Sequence, residues 1–300
     1  MPARIGSILR VLFVAVGLAF LIVAFRETWD RSVDALIPSL PSLIGGGALV
    51  FLGIAVAARA WIRLLADKGA GTDLLPGFYT AQLGKYIPGM IWQAVGQVGL
   101  ARSAGVRTGR AAAAFPVSLL TQVVAGATIG AAVSLVSTRL PLPARLLPCV
   151  GVLSLALLRR SWMTSMLARA GGRFRHLPSD DVVPTQSAIL GAYRWNLASM
   201  LFSSSGFALL AASLGLSFSA AVPGFALAWT LGFLAVPFPA GIGVREGVLV
   251  ALLGGGPLTA LVISAAVVYR LLSILAELTL FLVSRARRIT PGANDMSHPS

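Results

Sequence analysis

The chain has 300 residues, of which 57% are hydrophobic and 11% charged, with 24 Lys and Arg against 10 Asp and Glu and a formal net charge of +14. A soluble domain carries roughly 25% charged residues. This composition, with a mean hydropathy of +0.86, excludes a large water-soluble core and predicts an all-α polytopic integral membrane protein. The cations do not predict a nucleic-acid partner, because Lys and Arg gather in the cytoplasmic loops of membrane proteins and here report topology.

Arg4 and Arg10 precede an apolar run over residues 11–25 that no small-residue cleavage site follows. It reads as a first span leaving the cytoplasm and not as a signal peptide. Residues 26–34 are close to neutral, which suits the outer side. Residues 36–58 are uncharged and exceed the about 20 residues a span needs. They return the chain to Arg59, Arg63 and Lys68, with Trp61 placed as an interfacial anchor.

The next apolar stretch, 74–100, holds Gln82, Lys85, Gln93 and Gln97, is broken at Pro88-Gly89, and ends at Arg102, Arg107 and Arg110. Basic flanks at both ends predict a re-entrant segment. Residues 111–138 cross outward and 140–158 cross back, with the lone Cys149 expected to serve packing. Arg159, Arg160, Arg169, Arg173 and Arg175 open a polar stretch reaching Ser187, read as a cytoplasmic loop. Residues 189–214 cross outward, and 257–284 return to Arg285, Arg287 and Arg288. That leaves 222–256 dipping in from the outer side. The expectation is about six full spans and two broken re-entrant segments within one transmembrane domain, residues 1–288. Residues 289–300, rich in small and polar types, are expected to form a disordered cytoplasmic tail. The protein is expected in the plasma membrane as a multi-pass chain with both termini cytoplasmic.

Pro237, Pro239, Gly241 and Gly243 interrupt the second broken segment as Pro88 and Gly89 interrupt the first. Backbone groups freed in lipid cost several kcal/mol each unless protein or a water-filled cavity satisfies them. Opposed Pro/Gly breaks in two halves are the sequence pointer to an inverted repeat with a binding site between the repeats. Lys85, Arg245, Glu246, Arg270 and Glu277 fall within the apolar thickness, where each charge costs about 2.5–3.5 kcal/mol on insertion scales. Two readings stand. Arg245 with Glu277 and Arg270 with Glu246 form structural ion pairs, or Lys85 and Arg245 bind a phosphate at the ends of the broken helices. In the second reading Glu246 and Glu277 balance or gate the charge and Arg270 steadies the last helix. Gln93 and Gln97, with Trp92 adjacent, either line a polar path for a head group or bond helix to helix.

Ser203-Ser204-Ser205 have no histidine base to activate them and read as small-residue helix contacts. His176 and His298 lie far from carboxylates or thiol at ligand spacing. No metal, no cofactor and no enzymatic activity are expected. The glycine triplets at 45–47 and 254–256 read as a close helix contact or a turn.

Gly84-Lys85-Tyr86-Ile87-Pro88-Gly89 with Trp92-Gln93 and Gly96, then Pro239-Ala240-Gly241-Ile242-Gly243-Val244-Arg245-Glu246, then Tyr269-Arg270 resemble the flippase-like membrane region of the lysylphosphatidylglycerol synthase family. The resemblance covers most of the chain. It implies a polytopic fold with re-entrant elements that moves an anionic phospholipid or lipid-linked phosphate head group across the bilayer. The synthases that name the family carry a soluble aminoacyl-transfer domain after this region, and none follows here before Ser300, so the chain reads as stand-alone. Gln97 stands where the family's first motif leads one to expect a base. Membrane lipids are the expected surroundings. The alternative function is a non-transporting partner or scaffold of a lipid-modifying or glycosyl-transfer enzyme.

Overall fold

A computed structural model describes residues 37–65, 74–84, 91–133, 147–171, 182–235 and 243–289. The first expected span, 11–25, the break residues Lys85, Pro88, Gly89, Pro237, Pro239 and Gly241, both histidines and the C-terminal tail lie outside them. Within the described residues the structure is helical, without strands. The helices are α1 (Leu40–Leu65), α2 (Leu75–Leu83), α3 (Ile91–Ser103), α4 (Thr108–Gly130), α5 (Leu147–Ser154), α6 (Arg160–Gly171), α7 (Gln186–Ser213), α8 (Phe218–Leu234), α9 (Val244–Leu253) and α10 (Leu258–Ile289). Four of them, α1, α4, α7 and α10, are long and apolar enough to cross a membrane.

The short links are set by local chemistry. After α3 and again after α7 the chain closes a left-handed glycine cap: Gly105 and Gly215 both have φ 85°. Val106 N–H donates to Ala101 C=O and Leu216 N–H to Ala211 C=O, each at 3.0 Å. Only glycine holds that backbone without a Cβ penalty, and the apolar residue that follows packs back on the helix. Ser217 then caps α8 by accepting from Ala220 N–H at 3.4 Å.

The expected broken segment 74–100 is a pair of helices, α2 and α3, packed antiparallel. A Cβ built on Gly77 would lie 3.2 Å from Leu100, one on Gly96 3.2 Å from Ala81, and one on Gly84 3.1 Å from the backbone of Trp92 and Gln93. As the position rises along α2 its partner on α3 falls by the same number of residues, to within one, the mark of a helical hairpin in fixed register. At 1.5 Å per residue the two arms reach about 14 and 20 Å, short of a hydrocarbon core of about 30 Å. Gly99, on the open side of α3, has nothing within 4 Å of its built Cβ. Gly99→Ala is therefore expected to stabilise the protein by about 0.5–1 kcal/mol through helix propensity. Gly84→Ala, against backbone, is expected to destabilise it, and thermal denaturation of the two variants in detergent separates the cases.

The second broken segment also folds as two packed helices, α8 and α9, with Gly224 against Leu253. Helices α1 and α7 run antiparallel along their whole length, from Ser42 Oγ on Ser213 Oγ at 3.0 Å to the Arg63 side chain on Gly191. At their crossing Gly46 and Gly206 each present the bare backbone on which the other rests, and Val50 and Leu210 pack reciprocally over them. The glycine triplet at 45–47 is thus a close helix contact, and Gly255 and Gly256, at φ 125° and 54°, make the turn expected of the other.

Antiparallel α1 and α7, joined to their hairpins and to α4 and α10 by short links, put the open end of α2–α3 at one end of the bundle. The open end of α8–α9 lies at the other. The packing follows one scheme twice. Helix α1 touches α2 and α4 as α7 touches α8 and α10; α3 touches α4 as α9 touches α10. Across the halves α4 packs on α7 and α8, while α10 packs on α1 and α2. The first of those ends carries exposed Arg59, Arg63, Arg102 and Arg107, whereas the turns 214–217 and 254–257 at the other end carry no charge.

Four expectations need correction. Trp61 is not an interfacial anchor: it is 2% exposed, at the centre of the apolar cluster that also holds Leu64, Phe78 and Met163. Cys149 does not pack inside but is exposed on α5. The polar stretch after Arg159 is not all loop, since α6 occupies its first part. The described portion of the expected span 140–158 is α5 followed by a 3-10 turn over Leu155–Leu158, so it is not one long helix among the described residues.

Candidate functional site

Gly243 caps α9 with φ 85°. Having no side chain, it leaves the cap to Glu246 one turn on, whose Oε2 accepts the Gly243 N–H at 2.8 Å. A carboxylate in the first turn also meets the positive end of the helix dipole. The other oxygen, Oε1, accepts from Arg270 Nη2 on α10 at 2.9 Å, with side chains 4% and 28% exposed. One carboxylate thereby ends the break and ties the hairpin to the last helix. This is the pairing the structural reading of the charges expects.

Next to it, the Arg245 guanidinium lies 5.0 Å from the Phe225 ring centroid on α8, within cation–π range. Phe225 stacks on Phe207 of α7 at 5.0 Å and meets Tyr269 of α10 at 4.5 Å. Tyr269 is buried and packs edge-on against Phe207 as well, at 6.1 Å, while its backbone carbonyl accepts from Ser273 Oγ at 2.8 Å. Glu277 is itself 4% exposed. Seven residues from Arg270, it stands about 10 Å along the helix axis and so serves a separate position.

In the first hairpin Gln93 Nε2 donates to Gln82 Oε1 at 2.9 Å, which is the helix-to-helix bond that one reading of the glutamines predicts. Gln97 is 5% exposed, whereas Trp92 points outward at 47%. Helix α10 connects the two regions. Tyr269 and Ala276 belong to the cluster with Phe225 and Leu249, and Leu280 belongs to the cluster with Phe78 and Tyr79 of α2. Glu277 sits on α10 between them.

The structure therefore brings Arg245, Glu246 and Arg270 together at the start of α9, with Gly243 as its cap, places Glu277 two turns further along α10, and leaves Trp92 apart from that group. The four charges balance, two against two. Phe225, which cradles Arg245, has no sequence signal within its uncharged run. Arg110 also has a role the sequence does not announce: buried, it donates through Nε to Leu64 C=O at 3.4 Å, closing the C-terminal end of α1. No family model matches the chain, and no curated protein matches its sequence.

Proposed function

We propose that the protein is a plasma-membrane translocator of an anionic, phosphate-bearing lipid head group. In this reading the two halves are an inverted repeat, each a long helix, a re-entrant hairpin and a second long helix. The observation that carries it is the doubled packing scheme around antiparallel α1 and α7, which opens the two hairpins at opposite ends of the bundle. Such a pair places a break from each leaflet near the midplane, the arrangement in which discontinuous helices hold charged substrate. The arginine-rich end then faces the cytoplasm, with both termini on that side.

Within the site, Arg245 at the start of α9 and Lys85 at the first break hold the phosphate. Glu246 and Arg270 fix the hairpin, and Glu277 offsets surplus cation when no substrate is bound. The paired charges mean that binding needs Lys85 as well as Arg245. The resemblance of the Gly84–Gly89, Pro239–Glu246 and Tyr269-Arg270 motifs to the flippase-like region of the lysylphosphatidylglycerol synthase family supports the same substrate class.

The test is movement of a tagged anionic lipid across vesicles containing the purified protein. Lys85→Ala and Arg245→Ala are each expected to slow it by about tenfold, equivalent to 1.4 kcal/mol of barrier. Unaltered rates in both variants remove the site assignment. No rate above that of empty vesicles for any anionic lipid removes transport and leaves the scaffold role.

A further inference from the structure

Helix α6 joins the two halves, and its placement is fixed by one side chain. The chain breaks at Arg159, with φ −68° and ψ 130°. Gln186, the first residue of α7, clamps both sides of that break: its Oε1 accepts the Arg160 N–H at 2.7 Å and its Nε2 donates to Leu158 C=O at 3.1 Å. Met163, 2% exposed, and the half-buried Leu167 pack into the cluster around Trp61 and Leu64 at the C-terminal end of α1. Helix α6 is thereby held at the level of the exposed Arg59 and Arg63, the arginine-rich end of the bundle.

Its outward arc is divided. Trp162 and Met166, four residues apart, are 53% and 50% exposed and form an apolar strip. Ser161 and Ser165, also exposed, form a polar strip beside it. A helix facing only water has no reason to hold Trp and Met outward, and one facing only hydrocarbon has none to hold serines there. A helix lying at a membrane–water boundary uses both. Arg159 is exposed at its start, and Arg169, Arg173 and Arg175 continue the sequence, against Asp180 and Asp181 as the only acids before Ser187.

We propose that α6 is an interfacial helix that docks the junction between the two halves onto anionic lipid head groups of the arginine-side leaflet. Trp162 and Met166 enter the acyl boundary, the serines face water, and exposed Arg159, with Arg59 and Arg63 at the same level, holds the head groups. This stands on the geometry of α6 alone and does not depend on the transport reading.

The test starts from Cys149→Ser, with single cysteines at Ser161, Trp162, Ser165 or Met166 carrying an environment-sensitive fluorophore. The labelled full-length protein is placed in lipid discs with or without phosphatidylglycerol. Positions 162 and 166 are expected to be quenched by lipids spin-labelled near the head group, and 161 and 165 by aqueous iodide. Lipid quenching at 162 and 166 is expected to rise about twofold or more with phosphatidylglycerol and to weaken in high salt, as charge screening requires. The double variant Arg59→Gln, Arg159→Gln is expected to lose that rise. Equal iodide quenching at all four positions in both lipid compositions overturns membrane docking and favours a protein partner. Lipid quenching that is indifferent to phosphatidylglycerol and to the double variant overturns recognition of anionic head groups.

Discussion

Replacing Arg270 with methionine is expected to destabilise the protein by about 3–5 kcal/mol, the cost of leaving one member of a buried ion pair behind. The residue left behind is Glu246, whose side chain is only 4% exposed and whose other oxygen accepts the Gly243 N–H. Glu246→Gln keeps a hydrogen-bonding group at the cap and returns a half-free guanidinium to Arg270. It is expected to cost less, about 1–3 kcal/mol. Removing both charges in Glu246→Gln with Arg270→Met is expected to cost less than Arg270→Met alone, because no unpaired carboxylate remains. Thermal or detergent denaturation of the four proteins gives the coupling directly. Strict additivity would mean that the 2.9 Å contact does not hold α9 to α10.

The second large effect is expected at the crossing of α4 and α8, where the two halves meet. A Cβ on Gly130 would lie 2.8 Å from Leu227 N and Cα, and one on Gly126 would run into the Thr230 hydroxyl. Gly130→Ala is expected to cost about 1–3 kcal/mol by overpacking, and Gly130→Leu to prevent the helices from closing. Because the obstacle is backbone, trimming the neighbour in Gly130→Ala/Leu227→Ala is not expected to restore stability. Recovery in the double variant would show that the side chain, and not the close backbone approach, sets the spacing.

Much of the scaffold is legible in the sequence because apolar length is a local property. The expected spans 36–58, 111–138, 189–214 and 257–284 lie on α1, α4, α7 and α10, which differ from them mainly at their ends. The two interruptions fall between α2 and α3 and between α8 and α9, since Pro and Gly report backbone directly. The Glu246–Arg270 pair was accessible by elimination, because few charges lie deep enough to need each other. Residues whose roles depend on which helix covers them were not accessible. Trp61 follows basic Arg59 as an interfacial anchor would, yet α1 continues to Leu65 and its end is sheathed by other helices. Phe225 and Arg110 acquire their partners only through contacts between distant segments. The polar stretch after Arg159 hides α6 because its outward face mixes Trp and Met with serines, which blurs a periodic pattern.

The account rests on two hairpins that open toward opposite sides of the membrane, and thiol accessibility tests this most directly. In the Cys149→Ser background, single cysteines are placed at Ser103 and Lys68, flanking the first hairpin, and at Ser219 and Gly255, flanking the second. An impermeant thiol reagent added to sealed, oriented vesicles is expected to label 68 and 103 from the cytoplasmic face only and 219 and 255 from the outer face only. Labelling of 68 and 103 from opposite faces, or of 103 and 219 from the same face, would contradict the inverted arrangement and the transport reading built on it.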